Sequence, residues 1–256
     1  MPYCDVNGVS LYYESHGVGQ PIVFVHGLGG NHASWFKQIL AFAVDHRVVV
    51  YDQRGFGNST DPQRSGRNEM VNDLVALLDS LEIEQAIFVG QSMGGGTCAG
   101  FTCRHPKRVT GLVLADTLVG IELPEEVADM VAEARCRAKD LTQPIRVLGP
   151  ATRERFPEEA ILYTELASFN EYDFANIPGV LHKVGLRELA RTSVPILYLV
   201  GSDDILFPPA CVRLVHQQTA NSQFVELTGV GHSAYFEDAK AFNDALRTFI
   251  AGLNPI

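Results

Sequence analysis

Ser92 stands inside a five-residue pattern, Gly90-Gln91-Ser92-Met93-Gly94, with a glycine two residues to either side of a hydroxyl nucleophile. An apolar run, Ala86-Ile87-Phe88-Val89, precedes it and reads as a short buried strand. The small residues from Gly95 to Arg104 read as a helix. A serine on so tight a strand-to-helix turn is held in a strained backbone conformation. Glycines are needed at its flanks because side chains there would meet the crossing strand and helix. The turn lifts Oγ above the sheet and sets the Met93 amide at a helix N-terminus, where it can stabilise a developing oxyanion. Three fixed residues in five recur by chance, so this chemistry also needs a base, an acid and a second oxyanion donor.

The chain supplies candidates for all three. Gly201-Ser202-Asp203-Asp204 follows the apolar run from Pro195 to Val200, and Gly229-Val230-Gly231-His232 follows the run from Gln223 to Leu227. Serine, then acid, then histidine is the chain order of hydrolases built on a nucleophile elbow. A serine hydroxyl attacks poorly until a base takes its proton, and an imidazole titrates in the range that lets it accept and return that proton near neutrality. A carboxylate fixes the imidazole tautomer and stabilises the imidazolium. His26-Gly27-Leu28-Gly29-Gly30 closes the strand-like run Ile22-Val23-Phe24-Val25, and its glycines let backbone amides approach a ligand. The Leu28 amide is therefore the expected second oxyanion donor. A dinucleotide-binding loop is the rival reading, but His32 stands where G-x-G-x-x-G needs its third glycine. His26 is expected to brace its loop, and Asp52 and Arg54 are expected in a structural ion pair or as loop braces.

These residues need a scaffold that brings strand ends together. Tyr3 to Val6 and Val9 to Glu14, around Asn7-Gly8, read as an antiparallel hairpin. Strands then alternate with helices: Ile22 to Val25, Trp35 to Phe42 (helix), Arg47 to Tyr51, Glu69 to Leu81 (an amphipathic helix), the Ser92 turn, and Val109 to Ala115 ending at Asp116. This rhythm builds an α/β fold with a mainly parallel, doubly wound sheet, in which sites lie beyond the carboxyl ends of the strands. Between Thr117 and Ser193 the rhythm breaks into proline-punctuated amphipathic pieces, Glu125 to Lys139 and Pro157 to Phe169, with no clear strand. The expected organisation is a core of residues 1–117 and 194–256 with a helical cap at 118–193. The cap aromatics Phe156, Tyr163, Phe169, Tyr172 and Phe174 are expected mainly as packing residues. The alternation resumes with the strand at Ile196, a helix from Pro208 to Gln218, the strand at Gln223 and a final helix from Asp238 to Ala251.

Composition narrows the partners. Hydrophobic residues make up 46% of 256 residues and charged residues 20%, enough apolar material for a substantial core. The formal charge of −10 argues against nucleic acid and anionic membranes, which demand a positive footprint. No apolar run reaches membrane-spanning length, and the N-terminal residues lack the features of a signal peptide. Five scattered cysteines without C-x-x-C fit reduced thiols, hence a cytoplasmic protein. Neither metal nor cofactor is implied.

Over essentially its whole length the chain resembles the α/β-hydrolase superfamily. The resemblance rests on His-Gly-x-Gly at His26 to Gly29, Asp-x-Arg-Gly-x-Gly-x-Ser at Asp52 to Ser59, the elbow at Gly90 to Gly94, and the acid and histidine loops. It implies a catalytic triad of Ser92, Asp204 and His232, and it favours Asp204 over Asp203 by spacing from Gly201 and Pro208. Asp116 is the weaker alternative, because some relatives carry the acid after the preceding strand. Gly231-His232-Ser233-x-x-x-Glu237 and the short cap resemble small carboxylesterases, 3-oxoadipate enol-lactonases and cofactor-free haloperoxidase-type esterases. The implied activity is hydrolysis of a small ester or lactone through an acyl-enzyme, with water as second substrate. Two other readings stay open. One is C–C bond hydrolysis of a ring-cleavage product, disfavoured because Ser233 stands where such relatives often carry tryptophan. The other is a ligand-binding sensor. Dehalogenation and epoxide hydrolysis would need an aspartate in place of Ser92.

Overall fold

The β-branched and aromatic runs fall into strands whose side chains alternate between two cores. The computed structural model describes residues 2–253; Met1 and residues 254–256, the ends of the expected core, lie outside the described residues. Strands β1 (Tyr3–Val6) and β2 (Val9–His16) form the hairpin, turning through Asn7 and Gly8 at φ +48° and +75°. Then come β3 (Pro21–Val25), α1 (Phe36–Phe42), β4 (Arg47–Tyr51), α2 (Met70–Ser80), β5 (Ala86–Gln91), α3 (Met93–Arg104) and β6 (Val109–Ala115). After an insertion, β9 (Ile196–Gly201), α9 (Pro209–Gln217), β10 (Ser222–Leu227), α10 (Ala234–Glu237) and α11 (Ala239–Ala251) complete the sheet and its layers. No helix among the described residues is long and apolar enough to cross a membrane.

One eight-stranded sheet runs in the order β1-β2-β4-β3-β5-β6-β9-β10. β2 is antiparallel to β1 and β4, and the strands from β4 to β10 run parallel. One face sends Val23, Val49, Phe88, Leu112 and Tyr198 against α2, α3 and α9. The other sends Phe24, Val50, Val89, Val113 and Leu199 against α1 and α11. Period-two side chains on strands covered from both sides produce continuous apolar runs, as in Ile22 to Val25. The chain winds from β3 to β4 on one side and returns to β5 on the other. The loops after β3 and β5 therefore diverge from a common crevice, the usual place for a site in such a sheet.

The insertion between β6 and β9 carries α4 (Glu125–Ala138), α5 (Gln143–Val147), α6 (Pro150–Arg155), α7 (Pro157–Ala167) and α8 (Leu186–Arg191). α4 and α7 match the two amphipathic pieces read from the sequence. The expectation of a segment without strands needs correction: β7 (Ile121–Glu122) and β8 (Val184–Gly185) pair in parallel as a two-residue ribbon. Two residues are too short to show an alternation. The expected final helix is α11, capped at Asp238, whose carboxylate accepts the Ala241 amide at 2.9 Å; the short α10 before it has no counterpart in the sequence reading.

Arg54 and Asp52 are both structural. Arg54 is 1% exposed, and its Nε and Nη2 donate to the two oxygens of Asp73 at 2.5 and 2.6 Å, with Asp61 at 3.4 Å from Nη1. Asp52 instead accepts from the His32 amide and imidazole at 2.6 and 2.8 Å and from the Asn58 amide at 2.8 Å. Burial lifts the Asp73 carboxyl above its ordinary range while Arg54 pulls it back. Arg54→Ala leaves Asp73 buried without its counter-charge and is expected to cost about 3–5 kcal/mol in urea unfolding. The Arg54→Met, Asp73→Leu double variant recovers part of that loss; an equal loss in both would mean that packing, and not the lone charge, decides.

Candidate active site

The turn after β5 is shaped by what its glycines touch. Ser92 has φ +48° and ψ −116°, a conformation costly for a residue with a side chain, at the N-cap of α3. A Cβ at Gly90 would come within 2.6 Å of the Gly94 carbonyl and the Gly95 Cα, and a Cβ at Gly94 would run into the carbonyls of Val25 and His26. The helix can start against β3 only because both positions lack side chains. The Ser92 amide donates to the Ala115 carbonyl at 3.0 Å, and the Thr117 hydroxyl donates to the Ser92 carbonyl at 2.8 Å. The strained residue is thus clamped from β6.

His232 and Asp204 arrive from the loops after β10 and β9. His232 Nε2 lies 2.9 Å from Ser92 Oγ, and His232 Nδ1 lies 2.9 Å from Asp204 Oδ2. A carboxylate only accepts, so the ring proton belongs on Nδ1 and Nε2 is free to accept from the serine hydroxyl. Asp204 is 3% exposed, and its Oδ1 accepts the amides of Leu206 and Phe207 at 2.8 and 3.0 Å. Phe207 stacks on the imidazole, centroids 5.8 Å apart and 24° between planes. Gln91 Nε2 donates to the His232 carbonyl at 2.7 Å, tying this loop to the turn.

The two other acids lie elsewhere. Asp203 is exposed and, among the described residues, accepts only from its neighbour, the Ser202 hydroxyl, at 3.0 Å. Asp116, fully buried at φ +50°, accepts the Gly201 amide at 2.9 Å and the Ala234 amide at 3.1 Å. It thereby links the start of the acid loop to the end of the histidine loop. Burial, and then the nearby Asp204 charge, raise its carboxyl well above the ordinary range.

The loop after β3 lies against Ser92. A Cβ on Gly27 would come 2.9 Å from Ser92 Cβ and run into the Gln91 side-chain oxygen. His26 is fully buried, and burial pulls its pKa down, which keeps the ring neutral. Its Nε2 accepts the Gln53 amide at 3.0 Å, so Nδ1 carries the proton and donates to the Gly27 carbonyl at 2.7 Å. Gln53 Nε2 donates to the His26 carbonyl at 2.9 Å, and the Thr97 hydroxyl on α3 donates to Gln53 Oε1 at 2.8 Å. His26 is a brace, as its setting after a strand suggests. Leu28, Met93, Ser92 and His232 line one cavity, and among the described residues neither the Leu28 nor the Met93 amide donates to another protein group.

That cavity has a volume of about 980 Å³ and is walled largely by the insertion. Tyr163, Tyr172 and Phe174 line it, whereas Phe156 and Phe169 are exposed and away from it. The residue that sequence reasoning left without a part is Glu237. Its Oε2 accepts the Gly149 amide at 2.6 Å and the Thr152 hydroxyl at 2.7 Å, both from the insertion. Its Oε1 accepts the Gly231 amide at 2.8 Å and the Ser233 amide at 3.4 Å, on either side of His232. Burial raises its carboxyl while these bonds lower it. The only signal was its position five residues after His232, which says nothing of partners eighty residues away.

A family model described as the alpha/beta hydrolase fold matches residues 20–141. The putative non-heme bromoperoxidase BpoC of Mycobacterium tuberculosis is 26% identical over 260 residues, covering 96% of this chain and 99% of that protein. The 3-oxoadipate enol-lactonase 2 of Acinetobacter baylyi is 29% identical over 259 residues, covering 96% and 95%. A thermophilic esterase from Thermogutta terrifontis superposes with a TM-score of 0.78 at 25% identity, covering 97% of this chain and 96% of that one. With its strand order, its glycine-flanked turn and likeness over nearly its whole length, this chain has the α/β-hydrolase fold and resembles the small esterases, enol-lactonases and non-heme haloperoxidases of that superfamily.

Proposed function

We propose that this chain hydrolyses a small carboxylic ester or lactone through an acyl-enzyme, with Ser92, His232 and Asp204 as its triad and residues 118–193 as a cap over the cavity. The observation that carries the reading is the unbroken relay from Ser92 Oγ through both nitrogens of His232 to Asp204, each contact 2.9 Å. The relatives named an enol-lactonase and an esterase support the same class of bond. Ser92 Oγ attacks the carbonyl carbon as His232 Nε2 takes the hydroxyl proton. The oxygen that gains charge meets the unpaired amides of Leu28 and Met93, the second at the N-terminus of α3. Collapse of the tetrahedral centre breaks the C–O bond, and His232 returns the proton to the departing alkoxide. A water then enters, loses its proton to His232, and attacks the acyl-enzyme. The second tetrahedral centre collapses, the bond to Ser92 Oγ breaks as His232 returns the proton to that oxygen, and the acid leaves.

Asp204 orients the imidazole and stabilises its charged form, and two backbone amides hold that carboxylate in place. Ser92→Ala and Asp204→Asn are each expected to lower kcat on a 4-nitrophenyl ester by about 10⁴-fold, while Asp203→Asn leaves kcat near wild type. Undiminished turnover in Ser92→Ala would end this reading.

Asp116 acts on stability, with a definite sign in pH. A carboxyl with a raised folded-state pKa stabilises the fold fully below its unfolded value, ordinarily 3.8, and that contribution is lost as pH rises toward the folded value. The loss runs at up to about 1.4 kcal/mol per pH unit. Asp116→Asn removes this titration. Relative to wild type, the variant's unfolding free energy should therefore improve as pH rises above the unfolded value of 3.8 in urea titrations. A difference independent of pH would show that Asp116 is not the titrating group.

A further inference from the structure

The cavity over Ser92 has a charge pattern that ester hydrolysis by itself does not require. The chain carries a formal charge of −10. Its cavity wall has the opposite sign: Arg67, Arg135, Lys139, Arg146 and Lys183 line it. Among the described lining residues Glu122 and Asp173 oppose them, and Asp204, outside the lining, acts on Arg135; Asp173 already accepts the amides of Ala175 and Asn176 at 2.8 and 3.0 Å. Among the described residues none of the five cations forms an ion pair. Unpaired charges of one sign around a cleft with low-dielectric walls concentrate ions of the other sign.

Two of the five are set close to groups that matter for a ligand. The Arg135 guanidinium lies 4.7 Å from the centre of the Phe207 ring, whose other neighbour is His232 at 5.8 Å. Its charge is therefore one aromatic ring away from the base. Arg67 Nη2 reaches the Ile177 carbonyl at 3.4 Å, but its Nε is buried with no acceptor among the described residues. A buried N–H without an acceptor is unfavourable until a ligand supplies one. The planar fork of a guanidinium matches a carboxylate in charge and geometry.

We propose that the ester or lactone taken by this cavity carries a free carboxylate, with Arg135 and Arg67 as its counter-charges. The inference rests on the hydrolytic reading and names its substrate class. For an open-chain half-ester, one water is added, the ester C–O bond breaks, and an alcohol and a dicarboxylate leave with one proton. The reaction that supplies this substrate must already have generated one acid group, and, for the half-ester, the consuming reaction must accept a dicarboxylate.

Matched probes test it: 4-nitrophenyl hydrogen pimelate against its methyl ester, and the butyrate ester of 4-hydroxybenzoate against that of methyl 4-hydroxybenzoate, with Ser92→Ala as blank. In at least one pair the charged member should show a kcat/KM roughly tenfold above the neutral one in wild type. That ratio should fall as NaCl rises from about 0.05 M to about 0.5 M, since screening weakens the attraction and leaves the bond chemistry alone. Arg135→Gln and Arg67→Gln should each lower the ratio, and Arg135→Lys should restore part of it. The ratio is internal to each variant, and its salt dependence in wild type needs no variant at all. Neutral esters cleaved with no preference for the charged member in either pair, or a preference that both Gln substitutions leave intact, would overturn the charge inference alone. No turnover of any probe, with no labelling of Ser92 by a fluorophosphonate, would overturn the hydrolytic reading and the inference with it.

Discussion

The structure depends on one close approach, that of the β5–α3 turn to the ends of β3 and β6. Ser92 sits at φ +48° because α3 must begin at once, against backbone carbonyls of β3 that no side chain could face. Such a conformation stores about 1–3 kcal/mol, which persists only where the surroundings over-determine it. Here they do. β5 is buried along its whole length between β3 and β6, and the first ten residues of α3 are buried as well. The same approach presses Gly27 against Ser92, which brings the Leu28 and Met93 amides to one cavity wall. Glycine-rich α3 is a poor helix by propensity, and its burial against the sheet offsets that weakness.

Carboxylates, and not sheet hydrogen bonds, carry the histidine loop. Asp116 holds Ala234, Glu237 holds Gly231 and Ser233, and Asp204 holds the imidazole while fixed by its own two amides. Three acids share this small volume, and burial first, then the nearby Asp204 charge, pushes Asp116 up. The arrangement lets only one of them face the imidazole and assigns the other two to backbone amides. Environment separates the parts played by chemically identical groups.

Much of this was legible in the sequence. Apolar or alternating runs revealed every strand of the main sheet, and the glycine-marked loops after three of them bear Ser92, His232 and the acid. The choice among Asp203, Asp204 and Asp116 was not legible from the residues alone, because it turns on which carboxyl points at the imidazole. Resemblance favoured Asp204, and the contact with His232 belongs to Asp204. The β7–β8 ribbon escaped because its two residues per strand carry no period. The partners of Asp52 and Arg54 escaped for another reason: Asp73 lies a helix away and His32 belongs to the preceding crossover, so neither pairing has a local trace. The cationic cavity wall was equally hidden, since its five members are scattered from Arg67 to Lys183 in an acidic chain.

Glu237 gives the fold a consequence for its ancestry. One carboxylate binds Gly149 and Thr152 with one oxygen and brackets His232 with the other. The segment that shapes the cavity and the loop that bears the imidazole are therefore not independent modules. A recombination event that exchanged the segment between β6 and β9 would strand one face of that carboxylate unless the incoming segment brought its own amide and hydroxyl to the same place. In this chain the wall of the cavity and the geometry of the loop beneath it are therefore inherited together.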